Sequence, residues 1–447
     1  MPVLRRLHDD PPEGTDDRGE TSRPGQNKPQ IVPGRHGAAS FSLAALRERI
    51  AAEVIAEVGD QPDVLEKLDE TTRHALVREA GEYVLAVEAV RLDRAEKTAL
   101  FTAVVREVFG LGPLDPLLAD DDVTEVVMET AQRCLVRRRM GPLEDAPVGF
   151  EDEAHLRRIV ERMVRRAGGA LQAGEPFLEA GLILAGRPAR LTTIAPPLSP
   201  ALHANLRLHP HNPITLATLA AEGVLNAREE TLLRALARSP YGLVVAGDAG
   251  SGKTTLLQAL LAECPVAGEV WLAQRAAEIR LPEGGHILAA TAGTEELAGR
   301  SFAETIAAAL ANSPVVLALD EVRGDEAAAL WEALTGSCRP RLLVTFRASV
   351  QPVRLRSSLR WLLLQGRPAL TESDVDGAIL ERLPLVIATG IVAGRLHLLA
   401  ISQWELQNSG GITLMPLLDR GVLTGARPRM ALDVPEGFWE DDGQADQ

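Results

Sequence analysis

The chain of 447 residues is long enough for about three domains, and 46% apolar with 24% charged residues is ordinary for a globular protein. That balance excludes a collagen-like, disulfide-scaffold or mostly disordered protein. A net charge of −15 argues against a general nucleic-acid binder, whose affinity comes mainly from neutralising phosphates.

Residues 1–40 are rich in Pro, Gly, Asp and Arg without apolar periodicity and read as a disordered lead. From Phe41 to Gly110 the pattern is helical: Leu43, Leu46, Ile50, Val54 and Val58 recur on one face before the stop signal Gly59. Pro62 to Val90 and Arg94 to Phe109 continue it. Residues 111–213 read as a small α/β domain, with strands at Val123–Met128 and Cys134–Val136 and an amphipathic helix at Glu153–Arg166. Residues 214–405 alternate strands (Gly242–Ala246, Glu269–Ala273, Val315–Leu319, Leu342–Phe346) with helices such as Lys253–Glu263 and Glu326–Leu334. Such alternation predicts an α/β fold with a mainly parallel sheet covered on both faces. Leu385–Thr389 and Arg395–Ser402, joined around Ala393-Gly394, read as a terminal hairpin, and residues 406–447 as an acidic tail, loose from Ala431 onward. The uncharged stretch Thr305 to Leu319 is too short for a membrane helix, which needs about 20 apolar residues. Residues 1–30 lack an apolar signal-type core, and Cys134, Cys264 and Cys338 are scattered and odd in number, so the expected address is the cytoplasm.

Lysine occurs at four positions, and from residue 98 onward only at Lys253. That lysine completes Gly247-Asp248-Ala249-Gly250-Ser251-Gly252-Lys253-Thr254, a G-x-x-x-x-G-K-[ST] loop between an apolar strand and a helix, followed by Thr255. Glycines let backbone N–H groups turn toward phosphates, and the helix N-terminus adds its positive end. Lys253 would bridge the β- and γ-phosphates of ATP, and the Thr254 hydroxyl would hold Mg²⁺. The apolar run Val315 to Leu319 ends in Asp320-Glu321, 68 residues after Lys253 at the glutamate. One carboxylate can order Mg²⁺ while the other polarises the attacking water.

Several stretches together resemble the CpaF-type ATPases of the type II/type IV secretion and tight-adherence (Flp) pilus assembly superfamily. Phe109-Gly110-Leu111-Gly112-Pro113-Leu114-Asp115-Pro116-Leu117-Leu118-Ala119-Asp120 and Val123-Thr124-Glu125-Val126 look like its domain-entry motif. Ala195-Pro196-Pro197-Leu198 with Leu206-Arg207 resembles the segment before its motor domain, and Glu321-Val322-Arg323-Gly324 matches its Walker B ending. The resemblance runs from about Phe41 to Gln403. It implies a RecA-like P-loop domain after a smaller α/β domain, in a homo-hexameric ring that turns over ATP with Mg²⁺ to drive inner-membrane platform proteins. It gives Gly247 to Thr255 the nucleotide, Glu321 the Walker B role, Glu278 the surviving acid of the Asp box, and Arg207 a cross-domain nucleotide contact. No specific nucleic acid is implied.

The chain also departs from the pattern. The leading acids of the Asp box are Gln274 and Arg275, the arginine-rich segment has Ala307, Ala311, Ser313 and Val316, and the His box reads Thr345-Phe346-Arg347-Ala348. Thr335-Gly336-Ser337 stands where Thr-Gly-His is usual. These losses leave two expectations open: an active motor ATPase, or a nucleotide-binding, hydrolysis-poor paralogue with a structural or regulatory role. A P-loop kinase or helicase is a weaker third, since aromatics are only 3% of the chain and no basic, aromatic-interleaved groove is evident. His209 and His211 read as a loop, His286 as a structural histidine, and the Trp361 to Leu364 run as core.

Overall fold

The computed structural model describes residues 42–58, 68–139, 141–171, 176–265, 269–276, 278–291, 299–367, 369–392, 395–408 and 410–440. The expected lead at 1–40, the stop at Gly59, the join at Ala393-Gly394 and the last seven residues of the expected tail lie outside them.

The described chain separates into two compact units, divided after Gly110. The first holds α1 (Leu43–Val58), α2 (Glu70–Val87) and α3 (Arg94–Phe109). Asp69 caps α2 by accepting from the Thr72 N–H, and Asp93 with Glu96 forms a reciprocal capping box on α3. Leu46, Ile50 and Val54 of α1 recur every four residues and meet Val77, Val84, Leu100 and Val104 in a core of their own.

The second unit begins with a short turn (Gly112–Leu114) and α4 (Asp115–Leu118). β1 (Val123–Met128), β2 (Cys134–Arg138) and β3 (Leu143–Asp145) follow, then α5 (Glu153–Arg166), β4 (Phe177–Leu184), β5 (Arg187–Ile194) and β6 (His203–Leu208). These strands form an antiparallel sheet in the order β3-β2-β1-β6-β5-β4. Leu156, Ile159, Val160 and Met163 line one face of α5 and are fully buried against it. The other face of the sheet carries charge, because side chains alternate along each strand. One arginine is an exception to the usual exposure: buried Arg187 donates to the carbonyls of His209, Asp120 and Val123 at 3.0, 3.1 and 2.7 Å, tying three chain segments together.

After α6 (Leu216–Ala221) and α7 (Ala227–Arg238) the chain builds a second sheet. Its elements are β7 (Leu243–Gly247), α8 (Lys253–Leu261), β8 (Val270–Gln274), β9 (His286–Ala289), α9 (Phe302–Ala311), β10 (Val316–Val322), α10 (Ala327–Thr335) and β11 (Arg341–Arg347). Then come α11 (Pro352–Gly366), α12 (Glu372–Arg382), β12 (Leu385–Val392), β13 (Arg395–Leu406), β14 (Ile412–Asp419) and β15 (Val422–Leu423). The order is β15-β14-β13-β12-β7-β11-β10-β8-β9, parallel from β12 to β9 and antiparallel beyond β12. Every residue of β7 is buried, as expected of a parallel strand covered on both faces. Two apolar cores flank the sheet, one around Val244, Leu317 and Leu359, the other around Val245, Leu257 and Leu236.

Two expectations need correction. Residues 406–440, expected as a tail loose from Ala431, are built into the domain: β14 pairs along most of β13, and Met430, Leu432, Val434, Phe438 and Trp439 pack against the core around Val245 and Leu257. Its apolar anchors Ile412, Leu417 and Leu418 are fully buried. Trp361 is 62% exposed while its neighbours Leu362 and Leu363 are buried, because adjacent helix positions lie about 100° apart and only part of that run can face the core.

Candidate functional site

The C-terminal ends of β7, β8, β10 and β11 converge, as the registers require: Arg347 stands beside Gly247, and Asp320 beside Gln274. In open parallel sheets this edge is where ligands bind. The loop leaving β7 turns through Gly250 (φ 72°) and Gly252 (φ 80°), left-handed positions that glycine adopts without a Cβ clash. A Cβ on Gly252 would lie 2.6 Å from Leu396 Cδ1 of β13, so the antiparallel hairpin braces the loop from behind. Ser251 Oγ and Thr389 Oγ1 of β12, 3.1 Å apart, add a second brace. Asp248 and Ala249 form the exposed turn of the loop. The first turn of α8 has no side-chain cap, so its N–H groups remain available to an anion. Lys253 is buried, and its ammonium donates to the Asp248 carbonyl at 2.8 Å. Burial pushes its pKa down.

Two acids end the neighbouring strand, but their environments differ. Asp320 is buried, accepts from Thr254 Oγ1 at 3.1 Å and from Thr345 Oγ1 at 2.9 Å, and is pushed up to about 6, by burial first and then by Glu278. Glu321 falls where β10 slips its register against β11, and it adopts φ 56° although it is not glycine. Such a conformation costs about 1–2 kcal/mol and turns the side chain out of sheet alternation. Thr345 fixes the geometry: the same hydroxyl that donates to Asp320 accepts the Glu321 N–H at 2.6 Å. The Glu321 carboxylate receives Arg323 Nη2 at 2.6 Å; burial raises its pKa most, but Arg323, Lys253 and Arg190 together hold it below the ordinary value. Thr254 and Asp320 form an oxygen pair suited to a hard cation such as Mg²⁺. Among the described residues no group of three or more His, Cys, Asp and Glu side chains has metal-ligating geometry.

The charged face of the antiparallel sheet forms the opposite wall of a cleft of about 700 Å³. Arg190 of β5 pairs with Glu179 of β4 and, at 3.0 Å, with Glu278, which follows β8 of the parallel sheet. Glu278 is buried, and burial raises its pKa despite Arg190. His209 lies 3.5 Å from Glu278, yet burial and then Arg190 push it down to about 4, leaving the imidazole neutral at physiological pH. Arg207 also faces the cleft; its Nε donates at 3.4 Å to Glu125, which receives Asn205 at 2.9 Å and Arg137 at 2.9 Å.

Of the residues singled out in the sequence, Ala249 to Thr255, Glu278, Glu321 and Arg207 line this cleft, and Gly247, Asp248 and Asp320 lie directly beside its lining residues. Arg190 and Glu179 line it too and were missed, since their only signal is strand alternation, which does not name a ligand. His209, read as a loop residue, and Arg347, read as part of the His box, also line it. Gln274 and Arg275 have structural uses. Gln274 is fully buried and accepts the N–H groups of Glu278 and Ile279, both at 3.0 Å. Arg275 turns away from the cleft, donating to the Glu321 carbonyl (3.2 Å), Asp325 (2.7 Å) and Glu326 (2.5 Å), with its guanidinium 4.8 Å over the Phe302 ring. His211 lies 3.1 Å from Asp121, and His286 stacks on Trp271 with centroids 4.4 Å apart.

The family of type II/IV secretion system proteins matches residues 107–338. A Mycobacterium tuberculosis protein provisionally named a conjugal transfer protein is 29% identical over 250 residues, 54% of this chain and 70% of that protein. The Bordetella pertussis type IV secretion system protein PtlH is 35% identical over 101 residues, 22% of this chain and 30% of PtlH. Among solved structures, the Legionella pneumophila ATPase DotB is 18% identical with a TM-score of 0.48, covering 68% of this chain and 82% of DotB. The Brucella suis VirB11 ATPase of a type IV secretion system is 22% identical with a TM-score of 0.33, covering 66% and 97% respectively.

Proposed function

Since this chain belongs to the type II/IV secretion system protein family, we propose that it is a secretion or pilus-assembly ATPase of CpaF type. It works as a homo-hexameric ring that drives an inner-membrane platform from the cytoplasmic side. One observation carries the reading: a phosphate loop with its buried Lys253, and a Thr254–Asp320 pair at 3.1 Å, face an arginine-bearing wall across one cleft.

Backbone N–H groups of Gly250 to Thr254 and the Lys253 ammonium hold the β- and γ-phosphates. Thr254 and Asp320 would hold Mg²⁺, which when bound would neutralise phosphate charge. Glu321 orients a water and takes its proton as the water oxygen bonds to the terminal phosphorus. The bond from that phosphorus to the bridging oxygen breaks, and its electron pair leaves on ADP. Arg190 and Arg207 face the phosphates from the antiparallel sheet, supplying donors that the arginine-poor stretch before Walker B lacks.

A hydrolysis-poor subunit is the second reading, favoured by Gln274 and Arg275, whose side chains serve the backbone and the Walker B loop rather than a water. Turnover of Mg-ATP by the purified protein decides. An active motor loses at least about 100-fold in Lys253→Ala and in Glu321→Gln, with fluorescent ATP bound by the second variant and not by the first. Equal residual rates in all three proteins refute the motor; tight ATP binding without turnover leaves the silent subunit.

A further inference from the structure

We propose that Arg323 is a positioning residue that restrains Glu321: it ties the water-orienting carboxylate to the antiparallel sheet and keeps the resting hydrolysis rate low. This rests on the ATP hydrolysis proposed above.

The geometry is that of a restraint with both ends fixed. Arg323 Nη2 donates to Glu321 Oε2 at 2.6 Å, the only side-chain donor on that carboxylate among the described residues. Its Nη1 reaches Glu179 Oε2 on β4 at 3.4 Å, so one guanidinium spans the motor loop and the opposite wall of the cleft. The backbone beneath is immobilised separately. Glu326, fully buried, accepts the N–H groups of Arg323 and of Gly324. Glu326 is in turn gripped by Arg275, which also donates to the Glu321 carbonyl. The arginine that displaced an Asp-box acid therefore anchors the loop that presents Arg323.

The charge-assisted bond to Oε2 fixes the orientation of the Glu321 carboxylate, so the acid must give up this partner to turn toward a water elsewhere in the cleft. Since Glu179 belongs to the other sheet, a displacement of that sheet would carry the guanidinium away from Glu321 and release the acid.

The test is a cycle of Arg323→Gln, Glu321→Gln and the double variant in the full chain, read as kcat and KM for Mg-ATP. Arg323→Gln should raise resting kcat about three- to ten-fold, leave KM within about two-fold, and lose the whole gain in the Glu321→Gln background. If the unaltered chain binds ATP but is silent, Arg323→Gln should give it measurable turnover. A kcat that falls or stays level, or a gain that survives Glu321→Gln, overturns the proposal while leaving the ATPase reading intact. Failure of the unaltered chain to bind ATP sinks the ATPase reading instead. Arg323 is 40% exposed, so folding should tolerate the change. Should the glutamine variant melt early, Arg323→Lys carries the same test with a smaller rise, because a single ammonium cannot span both carboxylates.

Discussion

Removing Arg275 should destabilise the domain that carries the phosphate loop. Its side chain is 18% exposed and its partner Glu326 is fully buried, with the carboxyl already pushed up by burial. Deleting one member of a buried ion pair costs about 3–5 kcal/mol, mostly because the surviving charge is left without compensation. Glu326 retains the N–H groups of Arg323 and Gly324, which trims that figure, while loss of the stacking over Phe302 adds about 0.5–1 kcal/mol. A net cost near 3 kcal/mol follows, and at about 2–4 °C per kcal/mol the melting temperature falls by about 6–12 °C. Thermal unfolding followed by circular dichroism measures it, with Glu326→Gln added to Arg275→Ala as the control. The neutral amide removes the stranded charge, so the double variant should regain at least half of the loss. A single variant within about 1 °C of the unaltered chain, or a double variant no better than the single, would refute the view of Arg275 as the anchor of this loop.

Gly252→Ala combines a left-handed backbone, costing about 1–2 kcal/mol for an L side chain, with a Cβ 2.6 Å from Leu396. ATP affinity should fall at least ten-fold by fluorescence titration, and Leu396→Ala in the same chain should recover part of it by removing the clash. His209 makes stability pH-dependent. Its folded pKa of about 4 lies below the unfolded 6.5, so its contribution is whole above pH 6.5 and is lost as pH falls toward 4. The full shift would be worth about 3 kcal/mol, but 29% of the side chain is exposed, and about 1–2 kcal/mol is the better expectation. His209→Asn should flatten urea-measured stability across that window; an unchanged slope would show that another group titrates there.

The parallel sheet was legible because its strands are short apolar runs separated by helical periods, and the phosphate loop because Lys253 stands in a fixed spacing between a strand and a helix. Asp320 and Glu321 were visible for the same reason, as acids ending an apolar run. Their division of labour was not: it depends on Thr345, twenty-four residues later and joined only through strand pairing. Arg190 and Glu179 were equally hidden, since an antiparallel strand assigns residues to faces but does not say what the polar face opposes. Arg275 shows the converse. Read along the chain it is the loss of an acid; in space it is the gain of a clamp on Glu326.

β13 is twelve residues long and bonded on both sides, to β12 and to β14. A chain ending before Ile412 would therefore present a naked ladder of donors and acceptors along that strand, next to the fully buried Trp404, and would invite edge-to-edge association with other molecules. The strands that follow β13 thus serve as the sheet's protective selvedge.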